Sequence, residues 1–159
     1  MEGVLLSVHV LASIVFIGGS AIATSLFPRY APTTAPVPVP VPAGAAPAPP
    51  ATEGERNRAV AAAMHRISRG YGVAGIVVPV VGIALAVTQG RMGEIWITLS
   101  MILTAAAAAI LALLIVPRQR EALDTPDDGT RLRSLSMLAG VYNLLWAVVV
   151  VMMIVRPGS

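Results

Sequence analysis

Apolar residues gather into four long runs, Val4 to Phe27, Tyr71 to Thr88, Ile95 to Val116 and Leu135 to Val155, separated by polar stretches of unequal length. At about 1.5 Å per helical residue each run covers or approaches the roughly 30 Å of a bilayer's hydrocarbon, and the second, the shortest, draws on its flanks. Every backbone donor and acceptor in hydrocarbon must be paired within the protein, which leaves helices or a closed barrel. Runs this continuous lack the alternation of barrel strands. The pattern predicts an all-α polytopic membrane protein, a single membrane domain over residues 1–159 folded as an up-down bundle of four transmembrane helices.

Composition agrees, since 56% hydrophobic against 12% charged residues is a membrane domain's balance. A formal charge of +3 would suit nucleic acid, but the cations lie beside apolar spans without interleaved aromatics, so no nucleic-acid partner is expected. All eleven cations are arginine. Arg29, Arg56, Arg58, Arg66 and Arg69 lie between the first two runs and Arg118, Arg120, Arg131 and Arg133 between the last two, leaving only Arg91 and Arg156 for the other side. By the positive-inside rule both long connections are cytoplasmic and both termini are outside. With no cysteine, disulfides, thiolate metal sites and thiol nucleophiles are excluded. Ala21-Ile22-Ala23 resembles a signal-peptide cleavage site, yet Glu2 and the lack of a basic start favour a retained span.

Nine of the thirteen prolines fall between Pro28 and Pro50. Proline fixes φ and lacks an amide donor, so residues 28–51 read as a disordered Pro/Ala-rich cytoplasmic linker with polyproline II character around Pro36 to Pro42. Thr52 and Glu55 have capping-box spacing, which predicts an interfacial helix over residues 53–69 with Val60, Met64 and Ile67 on one face. Thr125-Pro126-Asp127-Asp128 reads as the start of the last helix: a cap, a proline at the first helical position and carboxylates facing the helix dipole.

His9 is the one ionisable side chain within the apolar runs proper, which makes it a functional candidate. His9, Ser13, Phe16, Ser20 and Thr24 recur at helical spacing and form one inward stripe. One reading makes the histidine and hydroxyls interhelical packing groups. The other notes that Met101, Met152 and Met153 lie on the same outer side, so that His9 with thioethers could ligate haem iron or Cu(I). Gly72, Gly75, Pro79 and Gly82 thin the second span, Ala105 to Ala109 thin the third, and Tyr142, Asn143 and Trp146 give the fourth polar tips that need partners from the first. No phosphate loop, zinc-binding histidine pattern or nucleophile elbow is present, and the spans hold no carboxylate for a proton path.

The stretch from Leu5 through His9 and Phe16 to Gly18-Gly19-Ser20 resembles the opening of a broad group of small bacterial membrane proteins, and Arg66 to Gly72 before a glycine-rich span fits its uncharacterised branch. The group takes in predicted integral membrane proteins of unknown function, the CopD-type copper-resistance membrane domain and the HemJ-type protoporphyrinogen oxidase. The resemblance implies a bundle in the bacterial plasma membrane whose first-helix histidine, here His9, ligates haem or copper. The oxidase is expected to use a lysine, and this chain has none; the copper-resistance domain is expected to have further polar or histidine ligands, where only methionines stand here. The expectation is a non-enzymatic structural or accessory protein that contacts the bilayer and packs as a homo-oligomer or in a larger membrane complex. The alternative is haem or copper handling by His9 with Met101, Met152 or Met153, and a channel or transporter comes third.

Overall fold

The computed structural model describes residues 2–34, 57–75, 80, 83–84, 86–87, 90 and 93–157. Their regular structure is entirely helical: α1 (Glu2–Tyr30), α2 (Arg58–Ala74), α3 (Ile95–Asp124) and α4 (Thr130–Val155), with Val80, Ile83, Ala84, Ala86 and Val87 helical as well. Three segments, His9–Tyr30, Ile95–Asp124 and Thr130–Val155, are long and apolar enough to cross a membrane. The linker beyond residue 34 and the Thr52/Glu55 pair lie outside the described residues.

Each helix packs on two others, α1 on α2 and α4, and α3 on α4 and α2. Contacts fix the directions. Phe16 meets Trp146 while Ser20 meets Tyr142, so α1 and α4 are antiparallel. His65 reaches Gln119 while Gly72 faces Val116 and Ala112, so α2 and α3 are antiparallel too. Where α3 begins, the Arg156 guanidinium at the end of α4 lies 5.8 Å above the centre of the Trp96 ring. The end of α1 and the starts of α2 and α4 thus gather with the end of α3 at the arginine-rich end of the bundle.

Helix α2 begins at Arg58, where Asn57 accepts hydrogen bonds from the Ala59 and Val60 amides at 3.0 and 3.2 Å. The stretch expected as an interfacial helix and the start of the expected second span are therefore one continuous helix set against α1 and α3. Its inward residues are Ala61, Met64, Ser68 and Tyr71; Ile67, expected on the same face, is exposed.

The apolar run of α3 ends at Val116, yet its helix continues to Asp124, making a rod of about 45 Å. Its centre, Ile110–Ile115, is a π-helical turn, and the Val116 amide bonds to Leu111, five residues back. Pro117 supplies the reason. In an unbroken α-helix its ring would collide with the Leu113 carbonyl and leave it without a donor. The π turn lets a fresh α-helical segment start at Val116, placing Pro117 in a first turn where no amide is required.

The extra residue also resets the face of α3. Ser100, Thr104, Ala107, Leu111 and Ile115 are buried in succession. Five turns at about 3.6 residues would advance roughly 18 positions from Ser100, to Arg118. The buried residue is instead Gln119, followed by Ala122, while Arg118 is only partly covered.

The α3–α4 turn differs from the expected cap. Thr125 ends α3, its hydroxyl donating to the Glu121 carbonyl at 3.0 Å, and α4 starts four residues later than Pro126, after Gly129 at φ +94°. The carboxylates do face the new helix: Asp127 accepts from the Gly129 and Arg131 amides, and Asp128 from the Thr130 amide. Arg131 closes the turn by donating to the Thr125 carbonyl at 2.8 Å, and the Thr34 amide joins it by donating to the Asp127 carbonyl at 2.9 Å.

Candidate functional site

Two polar regions distinguish the interior. The first is the seam between α1 and α4. Phe16, Ser20 and Thr24 of the predicted stripe are buried, and His9 and Ser13 are half-buried at its outer continuation. The Tyr142 hydroxyl donates to Ser20 Oγ at 2.8 Å, and Asn143 Nδ2 donates to Ser25 Oγ at 3.0 Å, so two of the three expected polar tips of α4 find hydroxyls on α1, while Trp146 Nε1 and Asn143 Oδ1 have no partner among the described residues. Ser13 and Thr24 donate back to the carbonyls of His9 and Ser20, which satisfies them within their own helix. Phe16 makes edge-on contacts with both Tyr71 and Trp146, at centroid distances of 5.3 and 5.8 Å, and so joins α2, α1 and α4.

The glycine pair of α1 sorts by this packing. The Tyr71 hydroxyl lies over Gly19 and donates to the Val15 carbonyl at 3.3 Å, and a Cβ on Gly19 would collide with the tyrosine ring. Gly18, one residue earlier, faces open space.

Each predicted ligand keeps its expected helix. His9 is half-buried on α1, Met101 on α3 and Met152 on α4, while Met153 on α4 is 39% exposed. His9 and Met153 each lie seven residues outward from the Phe16–Trp146 contact, which sets them on matching faces and at matching depth of antiparallel helices. Among the described residues the His9 imidazole has no hydrogen-bond partner, and no three His, Cys, Asp or Glu side chains cluster as metal ligands.

The second region is the seam between α2 and α3 at the arginine-rich end, and spacing alone did not single it out. Gln119 and Ser68 are fully buried there, and His65 Nδ1 lies 3.4 Å from Gln119 Oε1. Gln119 Nε2 and Ser68 Oγ have no partner among the described residues. Burial pushes the His65 imidazole below its ordinary pKa, the bond to Gln119 opposes this, and the charges of Arg69 and Arg120 lower it further against a small opposing pull from Asp124. His65 thus favours its neutral form within the field of two guanidinium groups. Two signals in the chain mark the place: Pro117 after an apolar run, and a glutamine held between Arg118 and Arg120.

No protein-family model, curated protein or solved structure matches the chain. The class the fold defines is that of an all-helical, multi-pass membrane protein.

Proposed function

We propose that this protein is a structural or accessory component of the plasma membrane, a four-span bundle that packs through its lipid-facing surfaces against further copies of itself or a larger membrane complex. The observation that carries this reading is that small residues face outward: Gly18 on α1 and Gly140 on α4 have open space beside them, which would let another helix approach closely. Within the bundle, the Tyr142–Ser20 and Asn143–Ser25 bonds hold α1 to α4. The fourth span is supported by the chain's path. Gly72 lies level with Val116 and Ala112 near the arginine-rich end, and α3 starts at Ile95, about 30 Å away along its axis, a separation that suits a further crossing between them. With arginines concentrated at one end, the proposed orientation has the Pro-rich connection in the cytoplasm and both termini outside.

Blue-native electrophoresis and crosslinking in a mild detergent test this role. Species larger than a monomer are expected, and Gly18→Leu or Gly140→Leu should abolish them; a monomer in membranes and detergent alike would sink the reading. A cysteine introduced in the Pro-rich connection should resist an impermeant label in intact cells, and its labelling would invert the orientation.

A second reading, haem or copper handling, rests on the matched positions of His9 and Met153 and on an imidazole without a hydrogen-bond partner among the described residues. It agrees with the resemblance of the first helix to the CopD- and HemJ-type proteins. It expects stoichiometric haem or copper in purified protein, seen by absorption and elemental analysis and lost in His9→Ala; colourless, metal-free protein from loaded cells would eliminate it.

A further inference from the structure

Buried polar atoms without partners are unusual, because a polar group taken out of water without a hydrogen bond destabilises the fold. Ser68 Oγ on α2 and Gln119 Nε2 on α3 are two such atoms among the described residues, and either orientation of the Gln119 amide, which bonds His65 through its other atom, leaves one of its polar atoms unmatched. The α1–α4 seam pairs Tyr142 and Asn143 across helices but also leaves Asn143 Oδ1 and Trp146 Nε1 unmatched among the described residues. What sets the second seam apart is its depth and its rim. It lies where the apolar run of α3 gives way to Arg118-Gln119-Arg120, at the level of lipid headgroups. Arg69 and Arg120 are close enough to His65 to disfavour its protonation, and both are exposed, with Asp124, 3.7 Å from Arg120, opposing them.

We propose that the α2–α3 seam at the arginine-rich end is a site for the phosphate group of an anionic lipid, with Arg69 and Arg120 as its charged rim and Gln119 and Ser68 as hydrogen-bond donors at its base. The chemistry matches at each point. Phosphate oxygens are acceptors, which is what an amide N–H and a hydroxyl without partners lack, and guanidinium forks pair with phosphate in two-point fashion. Neutral His65 beside the rim adds no competing cation to be desolvated. The π turn of α3 puts Gln119 in this position; without it Arg118 would point into the seam, where a buried cation would have no facing carboxylate among the described residues. Arg66 lies about 200° around α2 from Ser68 and so belongs to a different surface.

Native mass spectrometry of the full chain, released from detergent with phosphatidylglycerol added, tests the site. One retained phosphatidylglycerol per chain is expected, in preference to phosphatidylcholine. Retention should weaken about tenfold in Arg69→Gln/Arg120→Gln, since each arginine near a membrane surface contributes several-fold to attraction for anionic lipid. Gln119→Leu should weaken it while leaving the protein folded by circular dichroism. Arg66→Gln and Arg133→Gln should bind as the wild type does. Equal loss in those two controls would reduce the effect to general charge attraction and overturn the proposal, as would undiminished binding by Gln119→Leu. Thermal protection by phosphatidylglycerol without protection by inorganic phosphate assigns the group to lipid; equal protection by inorganic phosphate would assign it to a soluble ligand and overturn the lipid source.

Discussion

The two polar seams solve one physical problem to different degrees. Between α1 and α4, side chains deep in the bundle find partners across the helices, Tyr142 donating to Ser20 and Asn143 to Ser25, although Asn143 Oδ1 and Trp146 Nε1 stay unmatched among the described residues. Between α2 and α3, at the arginine-rich end, Gln119 and Ser68 are as deeply buried and remain partly unmatched. A matched seam holds helices in register, whereas an unmatched one sacrifices stability unless something else completes it. The first therefore explains how the bundle stays together, and the second shows where an outside group has reason to enter.

The largest expected effect comes from the packing of α2 on α1, next to the matched seam. Gly19→Ala drives a Cβ into the Tyr71 ring, and overpacking of this kind costs typically about 1–3 kcal/mol, while Gly18→Ala, facing open space, should cost nothing measurable. Thermal unfolding in detergent followed by circular dichroism checks the pair; equal effects at the two glycines would refute the close approach. Next in size is Tyr142→Phe, which removes the bond to Ser20 and should destabilise by about 0.6 kcal/mol, the average for an interhelical hydrogen bond in a membrane. A double-mutant cycle with Ser20→Ala isolates that bond, and additive losses would show that it contributes nothing.

Gln119→Leu sharpens the comparison by reversing the sign. Replacing a buried amide that lacks a full set of partners with an apolar group of similar size should be neutral or mildly stabilising in lipid-free detergent. A loss comparable to that of Tyr142→Phe would mean the two seams do not differ. The smallest effect is pH-dependent. The folded pKa of His65 lies below its unfolded value near 6.5, chiefly because burial penalises the charged form, so the unfolded chain binds the proton first. The associated stability is fully present above about pH 6.5 and is lost as pH falls through the lower folded pKa. Melting curves between pH 7.5 and 5 should therefore decline more steeply for the wild type than for His65→Gln, and parallel declines would remove His65 as the cause.

Much of the matched seam was legible because it obeys simple periodicity. Phe16, Ser20 and Thr24 are buried at the helical spacing that His9 and Ser13 begin, and the polar tips of Tyr142 and Asn143 reach α1 hydroxyls, although Ser25 lay off the stripe. The unmatched seam was harder to read for two physical reasons. Charges at Arg118 and Arg120 mark the end of an apolar run, but the α3 helix continues because its last turns still have α2 to pack on. The π turn then advances the inward face by one residue, which no fixed 3.6-residue count anticipates. Similarly, Thr125 satisfies capping statistics for α4 but is recruited to finish α3, and Asn57 caps the α2 start that the structure shows. For His9, periodicity fixed the face and depth on α1, while the partner groups depended on helices whose rotation the sequence pattern left open.

The π turn of α3 also has an evolutionary consequence. Deleting a single codon between Ile110 and Ile115 would remove the additional residue and yet keep Gln119 facing inward, because every later residue moves back by one place in the count. The same event would set Pro117 inside an unbroken α-helix, against the carbonyl four residues before it. A deletion at this point should therefore be tolerated only together with replacement of Pro117, whereas descendants that keep the proline should keep the extra residue.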